Sequence, residues 1–340
     1  MSLTYELLPG GEGADRWKDM LLGAKDYTVF QSYGWGEFKR LSGWRPLRFI
    51  ARDGSGRVAA MAQALIKSMP LGFAVAWVPG GPAILFDGAV QADGDLPGLF
   101  AALSGQVPRV AVRLDSYIPR TPELAYAFSQ TGRRPSVRIS SGFSIQFDIG
   151  GDSAFLDGMV SKHRYYVRKA DAAPLRWQVG SADDDIAALT GLHRDMTAAK
   201  GLKSPSMTEK DYAALRDALG TDGITIVTGY LDDRPVTSCL TLDFGKKSFY
   251  LAAATGPAGR QVGAAYAMVA RLIDVLKAKG ITHFDFGGIA PASPAAEGVD
   301  HFKRGFGGTT VEYLGEWEWA SVPLLAPAVG AMMRYRGMTA

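Results

Sequence analysis

The sequence predicts an α/β protein built from a duplicated unit, and three observations predict it. The first is a pair of hairpins. Leu47–Arg52 runs through Asp53-Gly54-Ser55-Gly56 into Val58–Ile66, and Ile224–Tyr230 runs through Asp232-Asp233-Arg234-Pro235 into Val236–Asp243. The second is that an apolar strand closing on Gly-Pro follows each hairpin: Ala74–Val78 before Gly81-Pro82, and Phe249–Ala254 before Gly256-Pro257. The third is that each Gly-Pro leads into a helical stretch and then a strand ending in aspartate, Val110–Asp115 and Ile281–Asp285. About 170–178 residues separate matching positions, too long for a solenoid period. Two unrelated α/β domains that happen to share these elements are the alternative.

Each element has a local reason. Near the start, Ser32 is an N-cap candidate, and Trp35 and Lys39 stand four residues apart, so an aromatic plane and an ammonium adjoin. Glycines at Ile149-Gly150-Gly151-Asp152-Ser153 mark a boundary before a new helix. In that helix Phe155, Met159 and Val167 supply the buried side, which puts Arg164 opposite and Arg168 one turn on. In the second half Val262, Tyr266, Val269, Ile273 and Leu276 give one apolar helical face, with Lys277, Lys279 and Gly280 at its end. Strand-like Val311–Trp319 precedes an apolar segment with Pro323, Pro327, Arg334 and Arg336, which is expected to fold back onto the first half rather than lie on lipid.

Composition narrows the function. With 340 residues, 47% apolar and 21% charged, the chain can bury a core, and length suggests two domains. One cysteine rules out a disulfide scaffold, and Cys239 reads as a core thiol. A net charge of +3 leaves any anionic ligand to local clusters. The Met1–Glu6 start lacks signal-peptide features, and no apolar run is long enough to span a bilayer, so a cytoplasmic location is expected. His193-Arg194-Asp195 and Asp285-Phe286-Gly287 imitate kinase signatures, but the chain has no asparagine to hold the kinase metal. The four histidines show no metal-ligand spacing, so no metal is expected, and no G-x-S-x-G elbow occurs.

Four clusters could carry chemistry. Arg164 and Arg168, within Ser161–Lys169, could chelate phosphates from one helix face, or simply form a solvated basic face. Lys39 beside Trp35 is by itself an ordinary surface lysine. Asp300–Gly308 sets Lys303 among glycines and two phenylalanines, which suggests a partly desolvated cation or a tight turn. Arg260, Gly263 and Ala265 fit R-x-x-G-x-A, a loop that can offer backbone N–H groups to the pyrophosphate of coenzyme A.

The clusters around Lys39, Arg164 and Lys303 together resemble the Fem family of tRNA-dependent aminoacyl (peptidyl) transferases of peptidoglycan cross-bridges. The likeness is carried by Phe30-Gln31-Ser32 with Trp35-Gly36 and Phe38-Lys39, Gly43-Trp44, and Val78-Pro79-Gly80-Gly81-Pro82. It continues through Lys162-His163-Arg164 with Arg168-Lys169-Ala170, then Phe284–Ile289 followed by Phe302–Gly307. The resemblance implies two tandem GNAT-like domains, 1–150 joined by 317–340, and 151–316, without the coiled-coil arm some members carry. It implies that Lys39 and Arg164, with Arg168, grip the pyrophosphate of a UDP- or lipid-linked muramyl peptide. Lys303 would lie by the reacting ester, Tyr250 would touch substrate, and Asp115 would act as base. Aminoacyl-tRNA would be the co-substrate with no tightly bound cofactor, and the protein would make peripheral contact with the inner face of the membrane. Two alternatives accompany this reading. One is an acyl-CoA-dependent N-acyltransferase on a small amine or cell-envelope substrate, using Arg260, Gly263 and Ala265. The other is a non-catalytic binder of a pyrophosphate-linked precursor.

Overall fold

The computed structural model describes residues 3–8, 13–85, 95–151, 155–199, 201, 207–335 and 337. Asp152 and Ser153 of the expected boundary lie outside them, as do Met1, Ser2 and Arg336. The chain divides into two units, Met1–Phe143 with Val311–Ala340, and Ser144–Thr310. The divides thus fall at 143 and 310 rather than at 150 and 316, because the glycines at 150–151 follow a strand of the second unit instead of preceding it.

The first unit contains β1 (Thr4–Leu7), α1 (Ala14–Leu22), α2 (Tyr33–Arg40), β2 (Arg45–Arg52), β3 (Val58–Ser68), β4 (Ala74–Pro79), β5 (Ala83–Ile84), α3 (Leu96–Gln106), β6 (Val110–Pro119) and α4 (Pro122–Ser129). The second contains β7 (Phe143–Asp148), α5 (Ser161–Asp171), β8 (Arg176–Gly180), α6 (Asp183–Ala199), α7 (Glu209–Leu219), β9 (Ile224–Leu231), β10 (Arg234–Phe244), β11 (Lys247–Thr255), α8 (Pro257–Val262), α9 (Ala264–Ala278), β12 (His283–Ile289) and α10 (Glu297–Arg304). β13 (Thr309–Ala320) and α11 (Leu325–Tyr335) then return to the first unit.

The duplication is visible in strand order. In the first unit β2, β3 and β4 form an antiparallel meander, and a crossover through α3 lays β6 parallel to β4. In the second, β9, β10 and β11 repeat the meander, and α9 brings β12 parallel to β11. A parallel pair needs such a crossover, whereas hairpins need only a turn. α3 buries Leu96, Leu99, Phe100 and Leu103, and α9 buries Leu272, Ile273 and Leu276. Each of these side chains contributes about 1.5–3 kcal/mol by leaving water.

Five details depart from the sequence reading. Gly81-Pro82 leads into β5, not a helix, because Ala83 and Ile84 find backbone partners on β3 at Met61 and Ala60. β6 and β12 continue past Asp115 and Asp285, since both carboxyls have hydrogen-bond donors within their own units. Val262 belongs to α8, which Gly263 separates from α9 by a left-handed turn at φ 77°. Phe155 lies in a short 3-10 turn before α5, whose own buried side is His163, Val167 and Ala170. Pro327 sits in the first turn of α11, where its missing N–H has no helical partner to lose, so the helix runs through it and packs on β6.

Candidate active site

In the first unit, strand register sets Asp115 opposite Glu316 on β13. Directly opposed residues share a face, so two carboxyls meet in the interior, at 4% and 1% exposure. Glu316 is well supplied. It accepts an ion pair from Arg113 at 2.6 Å and hydrogen bonds from the backbone N–H groups of Ile139 and Ser140. Asp115 receives one bond, from the Ser140 hydroxyl at 3.2 Å. Burial, helped by the charge of Glu316, pushes the Asp115 carboxyl up to about 7. That value suits a general base near neutral pH.

Lys39 is positioned by its helix start. Ser32 Oγ accepts from Trp35 N at 3.1 Å, which caps α2. Two buried amides tie that cap to the sheet: Gln63 donates to the Ser32 carbonyl at 2.8 Å, and Gln31 donates to the Pro79 carbonyl at 2.8 Å. The Lys39 ammonium then lies 4.6 Å from the Trp35 ring and 5.8 Å from that of Trp77. The expected pairing of aromatic plane and cation is present.

In the second unit, Lys303 is on α10, which Asp300 pins to the end of β12 by accepting from Ala290 N at 3.1 Å through both oxygens. Lys303 Nζ donates to the Gly288 carbonyl at 2.8 Å and lies 5.5 Å from the Phe286 ring. Burial lowers its pKa to about 8, against the opposing pull of Asp285 and Asp300. The glycines around it answer to neighbours in the same unit. A Cβ at Gly305 would strike the His163 ring, and one at Gly307 would strike the Gly158 carbonyl. Tyr250 is partly exposed as a residue, and its ring packs edge-on against Phe284 and Phe286 at 6.1 and 4.9 Å.

Arg164 and Arg168 share one face of α5, as expected, but Arg164 turns back on its own helix. It donates to the Met159 carbonyl and to Ser161 Oγ, while Arg168 is exposed. The R-x-x-G-x-A segment spends part of its donors on its own turn. The amides of Arg260, Gly263 and Tyr266 already donate to carbonyls of Gly256, Arg260 and Gly263, and Arg260 Nη1 donates to Thr255 O. The Tyr166 backbone and ring come within 3.0–3.3 Å of where a Gly263 Cβ would be. Ala265 follows in the first turn of α9, half-buried.

Glu316 and Ser140 escaped sequence reasoning, although the alternation Glu316-Trp317-Glu318-Trp319 hints that a carboxylate faces inward every second residue. Among the described residues no cluster of three His, Cys, Asp or Glu side chains could hold a metal, and no helix is long and apolar enough to cross a membrane.

Residues 159–304, most of the second unit, match the acetyltransferase (GNAT) domain. The FemX crystal structure aligns over 96% of this chain and 100% of its own, with a TM-score of 0.81 at 15% identity. A tandem GNAT protein from the clavulanic acid biosynthesis pathway aligns over 94% and 99%, TM-score 0.59, at 12% identity. The C-terminal domain of a putative lysylphosphatidylglycerol synthetase from Agrobacterium fabrum aligns over 94% of each, TM-score 0.54, at 14% identity. No curated protein sequence matches the chain. The fold is therefore the tandem GNAT fold seen in FemX, as the resemblance implied, and on its matched domain the chain is a GNAT-type acyltransferase.

Proposed function

We propose that the chain is an aminoacyl transferase of the Fem type, which moves an amino acid from aminoacyl-tRNA to an amine on a UDP- or lipid-linked muramyl peptide. The observation that carries the choice of donor is the turn at Arg260–Ala265. The amides of Arg260 and Gly263 are spent on carbonyls of the same turn and Tyr166 packs against Gly263, which supports an ester donor over coenzyme A.

In this reading Lys39 of the first unit, and Arg164 with Arg168 of the second, are the cations that meet substrate phosphates, Arg164 after giving up its bonds to Met159 and Ser161. The acceptor amine attacks the ester carbonyl, a C–N bond forms, and negative charge gathers on the carbonyl oxygen. The Lys303 ammonium, poor in water contact, stabilises that oxyanion by about 2–4 kcal/mol. Asp115 takes the proton from the new ammonium. The C–O bond then breaks, and the ribose oxygen of the tRNA leaves as a hydroxyl carrying the proton that the amine gave up. A cytoplasmic location, with peripheral contact at the inner membrane face for a lipid-linked acceptor, follows from these substrates.

The test is thermal unfolding with UDP-MurNAc-pentapeptide and, separately, with acetyl-CoA and longer acyl-CoA. A ligand at one hundred times its dissociation constant adds about 2.7 kcal/mol. Stabilisation by the muramyl peptide that is lost in Lys39→Ala and Arg164→Ala is expected, followed by transfer from charged tRNA. Stabilisation by acyl-CoA alone, sensitive to Arg260→Ala, would replace this reading with the CoA-dependent one.

A further inference from the structure

Beside Ser140 and Glu316 the first unit holds a cavity of about 440 Å³, lined by Arg120, Arg134 and Arg138 together with the hydroxyls of Ser140 and Ser141. Arg134 is fixed in place. Its Nη1 donates to the carbonyls of Leu314 at 2.6 Å and Glu316 at 3.1 Å, and its guanidinium lies 4.0 Å from the Trp317 ring. Burial, and then the charges of Arg120 and Arg138, lower its pKa. Arg120 makes a 3.6 Å contact with Glu312 in which both side chains are exposed, a pairing of little strength. Arg138 has no hydrogen bond or ion pair among the described residues. Glu316, the other acid on the wall, is already taken by Arg113 and two backbone amides. Three guanidiniums therefore share one space with one weak counter-charge, and an oxyanion among them relieves the repulsion through forked hydrogen bonds.

We propose that this cavity is an oxyanion subsite that takes a carboxylate of the acyl acceptor, so that the acceptor is held through that carboxylate as well as through its amine. The inference rests on the acyltransferase reading, in which Asp115 serves the acceptor amine. Ser140 joins the two places, since it lines the cavity and its hydroxyl donates to Asp115.

The test uses the full chain and Trp317 fluorescence, with Trp317→Phe to assign the signal. Three probes are titrated: an N-acetylated dipeptide with a free C-terminal carboxylate, the same dipeptide as its amide, and inorganic phosphate. The acid is expected to give a saturating change that the amide does not. Arg138→Ala and Arg120→Ala, both at exposed positions, should each weaken the acid by about tenfold with no change in unfolding midpoint. Equal response to acid and amide, or indifference to both arginine variants, overturns the subsite. Saturation by phosphate alone overturns the carboxylate assignment. Transfer assays separate the two readings: acid-selective binding without transfer sinks the proposed function alone, and transfer at equal rates to acid and amide acceptors sinks this inference alone.

Discussion

Asp115 sits at 4% exposure with one hydroxyl donor, so ionising it in the folded chain is unfavourable. Its carboxyl titrates at about 7 when folded, against an ordinary value of 3.8. Below pH 4 both folded and unfolded chains carry the proton. Between about 4 and 7 only the folded chain keeps it, so this group's contribution to stability is lost as pH rises, by about 4 kcal/mol at most. Asp115→Asn keeps a neutral side chain there. It is expected to be more stable than wild type by about 2 kcal/mol at pH 8, with the gap closing toward pH 4, while transfer falls. Urea unfolding at the two pH values checks this, and equal stability of the two proteins at pH 8 would remove the buried-acid account. Lys303 sets the other limit, because its ammonium is lost above about 8. A plot of kcat/KM against pH should rise through about 7 and fall beyond about 8, and Lys303→Ala should lose 10²–10³-fold in rate. A flat profile across that window would detach both residues from the reaction.

The elements themselves were largely legible, because hairpins, caps and the amphipathic α9 are written in residues close together in the chain. Ser32 illustrates this: the N-cap and its Trp35–Lys39 neighbours could be read directly and are present. Ser32→Ala should cost about 1 kcal/mol. It should also weaken muramyl-peptide binding more than it changes turnover, since the cap sets the helix that carries Lys39; unchanged affinity would show that the cap serves only the fold. What could not be read was anything set by distant partners. Asp115 was visible as an aspartate near a strand end, but Glu316, which helps raise its pKa, comes from the far end of the sequence. The reach of β6 and β12 is hidden for the same reason, since a charged residue reads as a strand stop unless its donors are known. The helical period puts Arg164 on its observed face, yet its bonds to the loop before α5 depend on backbone that periodicity does not describe. The doubling of the α/β plan was legible, and the β5 exception shows its limit.

On the scale of the whole molecule, the two units differ in how their chain is assembled. The second is made from one continuous stretch, whose β9–β10 hairpin and β11–α9–β12 crossover use near neighbours. The first needs both ends of the sequence. β13 pairs with β6, the Ser321 hydroxyl accepts from Val110 N at 2.9 Å, and α11 buries Ala326, Val329 and Met333. Closing loops of that length carries an entropic cost that must be met before those contacts form, so the first unit should complete last. Pulse-labelled hydrogen exchange during refolding is expected to protect the amides of β9 and β10 before those of β6 and β13. Val329→Asp puts a charge into the α11–β6 contact and should destabilise the first unit by about 3 kcal/mol. In that variant native-state exchange should quicken in β6 while β9 and β10 keep their protection, because their hydrogen bonds lie within the second unit. Simultaneous protection in the first experiment, or equal quickening of both strand sets in the second, would mean that the discontinuous unit does not fold as a stage of its own.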